Sequence, residues 1–155
     1  MEQSKVNIQN KKARFEYEIL ENYKAGMVLT GTEIKSIRSG QASIKEGFCE
    51  FNERGELFAI NLYIKEFING NFFNHQPRNS RKLLLQKREL RKLERKVKDV
   101  GLTIIPLRMY INEKGWAKLD IALCRGKKQY DKRHSLKNSE NKRNLDRIKK
   151  DFITR

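Results

Sequence analysis

LTIIPLRMYINEKGWAKLDIALCR, residues 102–125, is the stretch on which the fold turns. Two runs, Leu102 to Ile111 and Trp116 to Arg125, flank the loop Asn112-Glu113-Lys114-Gly115 and read as a hairpin. In the second run Trp116, Lys118 and Asp120 alternate with Ala117, Leu119 and Ile121, the period-two pattern of a half-buried strand. Pro106 cannot donate a ladder hydrogen bond, so its strand is an edge strand or carries a bulge there.

Working outward, a second hairpin precedes it. Phe48 to Phe51 and Leu57 to Tyr63 flank Asn52-Glu53-Arg54-Gly55, where Gly55 supplies the positive φ of a short loop. Phe58, Ile60 and Leu62 are expected on one face, with Ala59 and Tyr63 on the other. Nearer the N-terminus, Arg14 to Leu20 alternates Phe15, Tyr17 and Ile19 with polar neighbours, and Ala25 to Leu29 reads as another strand after a short turn. Gly31 to Ser39 predicts a short helix. Thr32 caps it, Ile34 and Ile37 share a face, and Gly40 stops it. Asn69 to Ser80 is polar, contains Gly and Pro, and reads as loop. Leu83, Leu90, Leu93, Val97 and Val100 predict one long helix over Arg81 to Val100, closed by Gly101. The total is a mainly β protein with helices. About six strands, mostly in meander order, suit a small closed barrel of the oligonucleotide-binding (OB-like) type, carrying the long basic helix on its surface.

Composition narrows the partner. The chain has 155 residues, with 35 Lys plus Arg against 19 Asp plus Glu, a net charge of +16 and a pI near 10.0. Such an excess repels itself unless a polyanion neutralises it, and nucleic acid does so by exchanging condensed counterions for side chains. An anionic membrane surface is the competing partner, and a surface that is basic only for solubility is the bland alternative. No apolar run approaches the roughly 18 residues of a membrane span, and Met1 to Asn10 lacks the apolar stretch of a signal peptide. Cys49 and Cys124 lie in separate strand-like runs, as expected of two buried thiols in a reducing cytoplasm. His75 and His134 form no cluster with cysteine, so no metal site or other cofactor is expected.

No catalytic constellation emerges. No Ser or Cys has an evident His partner, and Gly126-Lys127-Lys128 fails the phosphate-loop pattern because Ile121 and Lys128 stand where Gly and Ser/Thr belong. What remains is cationic and aromatic. Between Arg78 and Lys98 there are 10 Lys/Arg and 2 Glu, a basic face suited to a phosphate backbone or simply a solvated helix held by pairs such as Glu94 with Lys98. Leu84, beside Arg81 and Lys82 and off the leucine stripe, is either secondary packing or an apolar contact to a base or ribose. Residues 126–155 hold 11 Lys/Arg, 4 Asp/Glu and six large apolar side chains, too few to pack, so this tail is expected to be disordered when free. Tyr130 among its cations suits base stacking, and Leu145, Ile148 and Phe152 at i, i+3 and i+7 would form a helical stripe against a partner.

Several motifs, in order from about residue 8 to the end, resemble the SmpB family, the SsrA-binding proteins of bacterial trans-translation. They are Asn10-Lys11-Lys12-Ala13-Arg14, Ala25-Gly26, Gly31-Thr32-Glu33-Ile34-Lys35-Ser36-Ile37-Arg38, Arg81-Lys82-Leu83-Leu84-Leu85 and Gly126-Lys127-Lys128-Gln129-Tyr130-Asp131-Lys132-Arg133. The resemblance implies a flexible N-terminus over 1–9, an RNA-binding OB-like barrel over 10–125, and a tail over 126–155 that becomes helical on the ribosome. It implies a cytoplasmic monomer, not an enzyme, that binds the tRNA-like domain of transfer-messenger RNA. That RNA is delivered to stalled ribosomes, where the tail occupies the decoding centre and the empty mRNA channel. The GTP-bound elongation factor and alanyl-tRNA synthetase are indirect partners, and no membrane is involved. A general ribosomal or single-stranded-RNA binder is the alternative that charge alone supports equally well.

By resemblance, Asn10 and Leu84 match RNA-contact positions, and Lys11, Lys24, Glu33, Lys35, Arg81 and Lys82 lie in or beside the same motifs. Gly126, Lys127, Lys128, Asp131, Lys132 and Arg133 match the tail motif needed for tagging, with Tyr130 and the stripe Leu145, Ile148 and Phe152 acting with them on the ribosome. Two positions depart from the pattern. Lys24 stands where the family usually has Glu, and Tyr130 where members have His or Tyr.

Overall fold

The computed structural model describes residues 6–67, 74–127, 142–145 and 147. In chain order these residues form β1 (Asn7–Gln9), α1 (Lys11–Glu16), β2 (Tyr17–Met27), α2 (Gly31–Arg38), β3 (Ala42–Ser43), β4 (Phe48–Phe51), β5 (Leu57–Ile60), β6 (Tyr63–Ile64), β7 (Arg81–Leu84), α3 (Lys87–Val97), β8 (Leu102–Ile111) and β9 (Ala117–Gly126). Residues 142–145 and 147 are also helical.

Both hairpins form, and by one local device. In β4–β5, Asn52 Oδ1 accepts from the backbone N–H of Arg54 at 3.0 Å and of Glu56 at 2.9 Å. In β8–β9, Asn112 Oδ1 accepts from Lys114 at 3.1 Å and Trp116 at 2.8 Å. The closing Gly55 and Gly115 take φ of 75° and 84°, where a Cβ would be strained. Pro106 marks a bulge: the β8–β9 register shifts between Pro106 and Arg108.

The strands close on themselves. β4 pairs with β5, β5 with β7, β7 with β2, β2 with β9, β9 with β8, and β8 returns to β4 through Cys49 and Ile104. Six strands therefore form a ring, which leaves few unpaired edges to aggregate. β1 pairs with β8 alongside β4, although residues 7–9 were expected to be part of a flexible N-terminus. β3 and β6 make a separate two-stranded sheet. Leu57, Leu83, Ile104, Met109, Leu119 and Ile121 fill the interior, each side chain contributing about 1.5–3 kcal/mol by leaving water. Cys49 and Cys124 are free and buried, as expected; burial pushes the Cys124 thiol up to about 11 and that of Cys49 higher still.

Four expectations need correction. The helix predicted over Arg81 to Val100 is a strand followed by a shorter helix. Arg81 and Lys82 pair with Ala59 and Phe58 of β5, Leu83 and Leu84 pair with Met27 and Gly26 of β2, and α3 begins only at Lys87. Leu83 reaches the core from the strand, Leu90, Leu93 and Val97 form the stripe, and Val100 is fully exposed. The strand predicted from Arg14 and the separate one from Ala25 are α1 followed by one continuous β2, whose register against β9 shifts between Ile19 and Glu21. The cap of α2 is Thr30 rather than Thr32. The Thr30 hydroxyl accepts from the Glu33 N–H at 3.4 Å, and Glu33 Oε1 accepts from the Thr30 N–H at 3.0 Å, a capping box. In β5, Phe58 and Ile60 share the outer face opposite Ala59, as expected, but Leu62 does not join them. Asn61 at φ 61° then breaks the alternation and turns Leu62 and Ile64 into the core.

Candidate nucleic-acid interface

Strand β7 sorts its residues by face. Arg81 and Leu83 point in; Lys82 and Leu84 point out. Arg81 is 2% exposed, and each of its three guanidinium nitrogens has a partner. Nε donates to Glu33 Oε2 at 2.5 Å, Nη1 to the Leu62 carbonyl at 2.7 Å, and Nη2 to the carbonyls of Gln76 and Pro77 at 3.2 and 3.1 Å. Glu33 is equally buried, so this pair ties α2 and the 76–77 turn to the ring. His75 completes the joint, bonding the Thr32 hydroxyl and donating to the Ile64 carbonyl, both at 2.9 Å. The burial and bonding of Glu33 and Arg81 suit them to positioning the neighbouring exposed residues.

The outer face of the same strands is different. Reading across the register, Leu84 lies beside Gly26, Gly26 beside Lys118, and Lys118 beside Tyr110. The adjacent row is Lys24, Asp120 and Arg108. Val28 and Trp116 continue the outward alternation past Gly26 and Lys118. Leu84 is 52% exposed, Val28 51% and Trp116 66%, an unusual set of apolar side chains for solvent. Gly26 keeps the middle flat: a Cβ there would sit 3.5 Å from Leu84 Cβ and 3.6 Å from Lys118 Nζ. The Arg108 guanidinium stacks over Tyr110 at 4.2 Å and pairs with Asp120 at 3.4 Å, while Lys82 pairs with Glu56 at 2.5 Å. The hydrogen bond from Lys82 holds the Glu56 carboxyl below its ordinary range. Apolar surface interleaved with cations is the arrangement that accepts ribose or base while neutralising phosphate.

Sequence reasoning placed Lys24, Lys82 and Leu84 here but missed Val28, Trp116, Lys118, Arg108 and Tyr110. The signal was present for Trp116 and Lys118: both fall on the polar side of a clean alternation, where a tryptophan is out of place.

Other expected positions lie elsewhere. Lys11 is exposed on α1, and Lys35 is exposed on α2 with its ammonium 5.4 Å from the Phe67 ring centroid. Asn10 is buried at the start of α1; its backbone N–H donates to Leu107 at 2.8 Å and its side-chain amide to Pro106 at 3.1 Å. On α3, Lys87, Arg88, Arg91 and Arg95 are exposed, as is Lys98 at its C-cap, and Glu94 lies against the turn at Gly55 rather than forming a bridge to Lys98. Lys96 bonds Glu21 of β2, with Lys92 3.9 Å from the same oxygen, and Tyr23 donates to Glu21 at 2.5 Å. These donors, Lys96 first, lower the Glu21 carboxyl; burial and the bond to Glu21 push the Tyr23 phenol up to about 12. Gly126 ends β9, and the Lys127 N–H donates to the Glu16 carbonyl at 2.9 Å. Leu145 is 60% exposed in the helical residues. Lys128, Tyr130, Asp131, Lys132, Arg133, Ile148 and Phe152 lie outside the described residues. Among the described residues no helix is long and apolar enough to cross a membrane.

Known proteins match the chain almost end to end. The family model described as SmpB protein matches residues 7–151. An SsrA-binding protein of Flavobacterium psychrophilum is 63% identical over 147 residues, 95% of this chain and 97% of that protein. An SsrA-binding protein of Bacteroides thetaiotaomicron is 53% identical over 148 residues, covering 96% and 98%. A solved chain from work described as "tmRNA-SmpB: a journey to the center of the bacterial ribosome" superposes with a TM-score of 0.68 at 46% identity, covering 84% of this chain and 94% of that one. By sequence over nearly its whole length, the chain belongs to the SmpB protein family.

Proposed function

We propose that this protein binds the tRNA-like domain of transfer-messenger RNA and brings it to stalled ribosomes for trans-translation, acting in the cytoplasm by contact rather than catalysis. The observation that carries this is the outer face around Leu84 and Gly26, present in a chain whose relatives are SsrA-binding proteins. In this reading the six-stranded ring is a closed OB-like barrel, and its face from Lys82 and Leu84 across to Lys118 and Trp116 is the RNA platform. Leu84, Val28 and Trp116 cover ribose or base, and Lys24, Lys82 and Lys118 neutralise phosphates. Lys11, Lys35 and the exposed cations of α3 extend the positive surface, and the pair Glu33–Arg81 positions it.

The tail from Gly126, with Lys127, Lys128, Tyr130, Asp131, Lys132 and Arg133, is the ribosome-directed part. The helical residues 142–145 and 147 support a helix that carries Leu145, Ile148 and Phe152 on one side into the empty mRNA channel. The elongation factor and alanyl-tRNA synthetase act on the RNA and not through this chain.

The test compares the full chain's affinity for the tRNA-like domain with that for a random RNA of equal length at fixed salt. The domain is expected to bind far more tightly; equal affinities would leave only a general RNA binder. Replacing Asp131, Lys132 and Arg133 together by Ala should leave RNA binding intact and abolish tagging of stalled chains. Loss of both together would refute the division of labour between ring and tail.

A further inference from the structure

The bulge in β8 aims a side chain. Leu107 is the residue left over where the register steps from Pro106 opposite Ile121 to Arg108 opposite Asp120. Asn10 pins the bulge, its backbone N–H donating to the Leu107 carbonyl at 2.8 Å and its side-chain amide to that of Pro106 at 3.1 Å. A bulge held in this way sets the direction of the side chain that follows it, here Arg108. Its guanidinium carbon lies 4.2 Å from the centroid of the Tyr110 ring, and its Nε lies 3.4 Å from Asp120 Oδ2. Nε is closed to solvent and makes no hydrogen bond, so the nearby carboxylate compensates it by charge alone. The Arg108 side chain is still 41% exposed, which leaves the two Nη groups as the end that a ligand can meet. On the other side of β8, β1 brings Gln9 beside Arg108 and Asn7 beside Tyr110, neutral amides that offer no second carboxylate.

We infer that Asp120, an acid on a face that meets a polyanion, is a positioning residue for RNA binding. With Tyr110 it holds Arg108 flat, so that the two Nη groups grip one backbone phosphate; the inference rests on the RNA-binding reading above. A free arginine gives up many rotamers when it binds, whereas a guanidinium already fixed by a ring on one face and a carboxylate at one edge gives up few. Two parallel N–H groups match the paired oxygens of a phosphate, a fit that a lysine ammonium cannot reproduce. Lys24 stands on the far side of Asp120 in the same row, and Lys118 precedes it on the same face of β9, so the carboxylate is set among cations. The consequence runs against simple electrostatics. On a chain of net charge +16, removing an acid from the RNA face ought to strengthen binding. Removing this one weakens it, because the plane of Arg108 is lost.

The test measures binding of the full chain to the tRNA-like domain of transfer-messenger RNA over a series of salt concentrations. Asp120→Asn keeps the shape and removes a negative charge, yet is expected to weaken binding about threefold or more with the melting temperature unchanged. Unchanged or tighter binding overturns the inference. In an Arg108→Lys background there is no plane to hold, and the same Asp120→Asn change should leave affinity unchanged or raise it, as charge alone dictates. A loss equal to that in the wild type would show Asp120 acting through something other than Arg108, and overturns the inference too. Arg108→Lys alone keeps the charge without the fork and should bind about fivefold or more weakly, a result that decides the matter even if Asp120→Asn melts early. Wild-type affinity in that variant is a contrary result. Arg108→Ala should reduce the slope of log affinity against log salt by about one, as loss of a phosphate contact does; an unchanged slope would move the contact to a base and overturn the phosphate grip. A wild-type chain that binds random RNA of equal length as tightly overturns the RNA-binding reading as well. Selective binding by the wild type, with any of the contrary results in the variants, overturns this inference alone.

Discussion

Arg81 and Leu84 stand three residues apart on one strand and live in opposite surroundings. On the inner side, Arg81 is dry, bonded to Glu33 and three carbonyls, and committed to a single arrangement. On the outer side, Leu84 meets solvent beside Gly26, and the charges around it are part-exposed and screened. A strand's two-residue period thus divides one short motif, Arg81-Lys82-Leu83-Leu84, between holding the fold and recognising a partner. Neighbours in a motif can therefore differ in what they do, because burial decides which of them still have atoms to offer.

The sharpest way to break this contrast is on the inside. Arg81→Ala leaves the Glu33 carboxylate buried without its cation and should cost about 3–5 kcal/mol, seen as a large drop in melting temperature. A loss within the range of an ordinary surface substitution would show the joint to be dispensable. Next comes Trp116→Ala, expected to weaken RNA binding by about 1–3 kcal/mol while the melting temperature holds, since the residue is 66% exposed and outside the buried core. Leu84→Ala should cost roughly 1–2 kcal/mol in RNA affinity, again with little change in stability. A collapse in melting temperature with unchanged binding would move Leu84 to the inner side of the comparison.

The smallest effect belongs to Glu21, whose contacts with Lys96, Lys92 and Tyr23 join α3 to β2 near the surface. Glu21→Gln should cost about 1 kcal/mol or less, and less still at high salt. Because Lys96 and Tyr23 lower this carboxyl in the folded state, its stabilising contribution is complete above the ordinary value of 4.5 and is lost as pH falls through the lower folded value. The stability gap between wild type and Glu21→Gln, measured by urea titration, should therefore narrow as the solution is acidified through that range. A gap that widens on acidification would contradict the assignment.

The misread helix shows where local pattern runs out. Leu83, Leu90, Leu93 and Val97 carry a helical spacing, and nothing between Arg81 and Gln86 is a helix breaker. What makes Arg81–Leu84 a strand is pairing with Phe58, Ala59, Gly26 and Met27, residues more than twenty positions away. Such pairing adds a ladder on both sides, which outweighs the few tenths of a kcal/mol per residue by which propensity favours the helix. The same limit hid α1. Phe15 and Tyr17 alternate like strand residues, yet Ala13 packs on Ile105 and Cys124 and holds the first turn down. For the site, the polar motifs were legible, but their division into buried and exposed members was not.

By itself, then, the sequence determined the hairpins, through Asn-x-x-Gly loops that need no distant partner, together with the basic charge and the motifs that the family shares. Tertiary structure alone decided that the six strands close in a ring and that Glu33 and Arg81 face each other. It also assembled Val28, Trp116 and Lys118 beside Leu84 on one face, and set Arg108 against Tyr110 and Asp120. The reason is physical: turns and charge are local properties, whereas burial, pairing and the satisfaction of polar atoms depend on which distant strand arrives alongside.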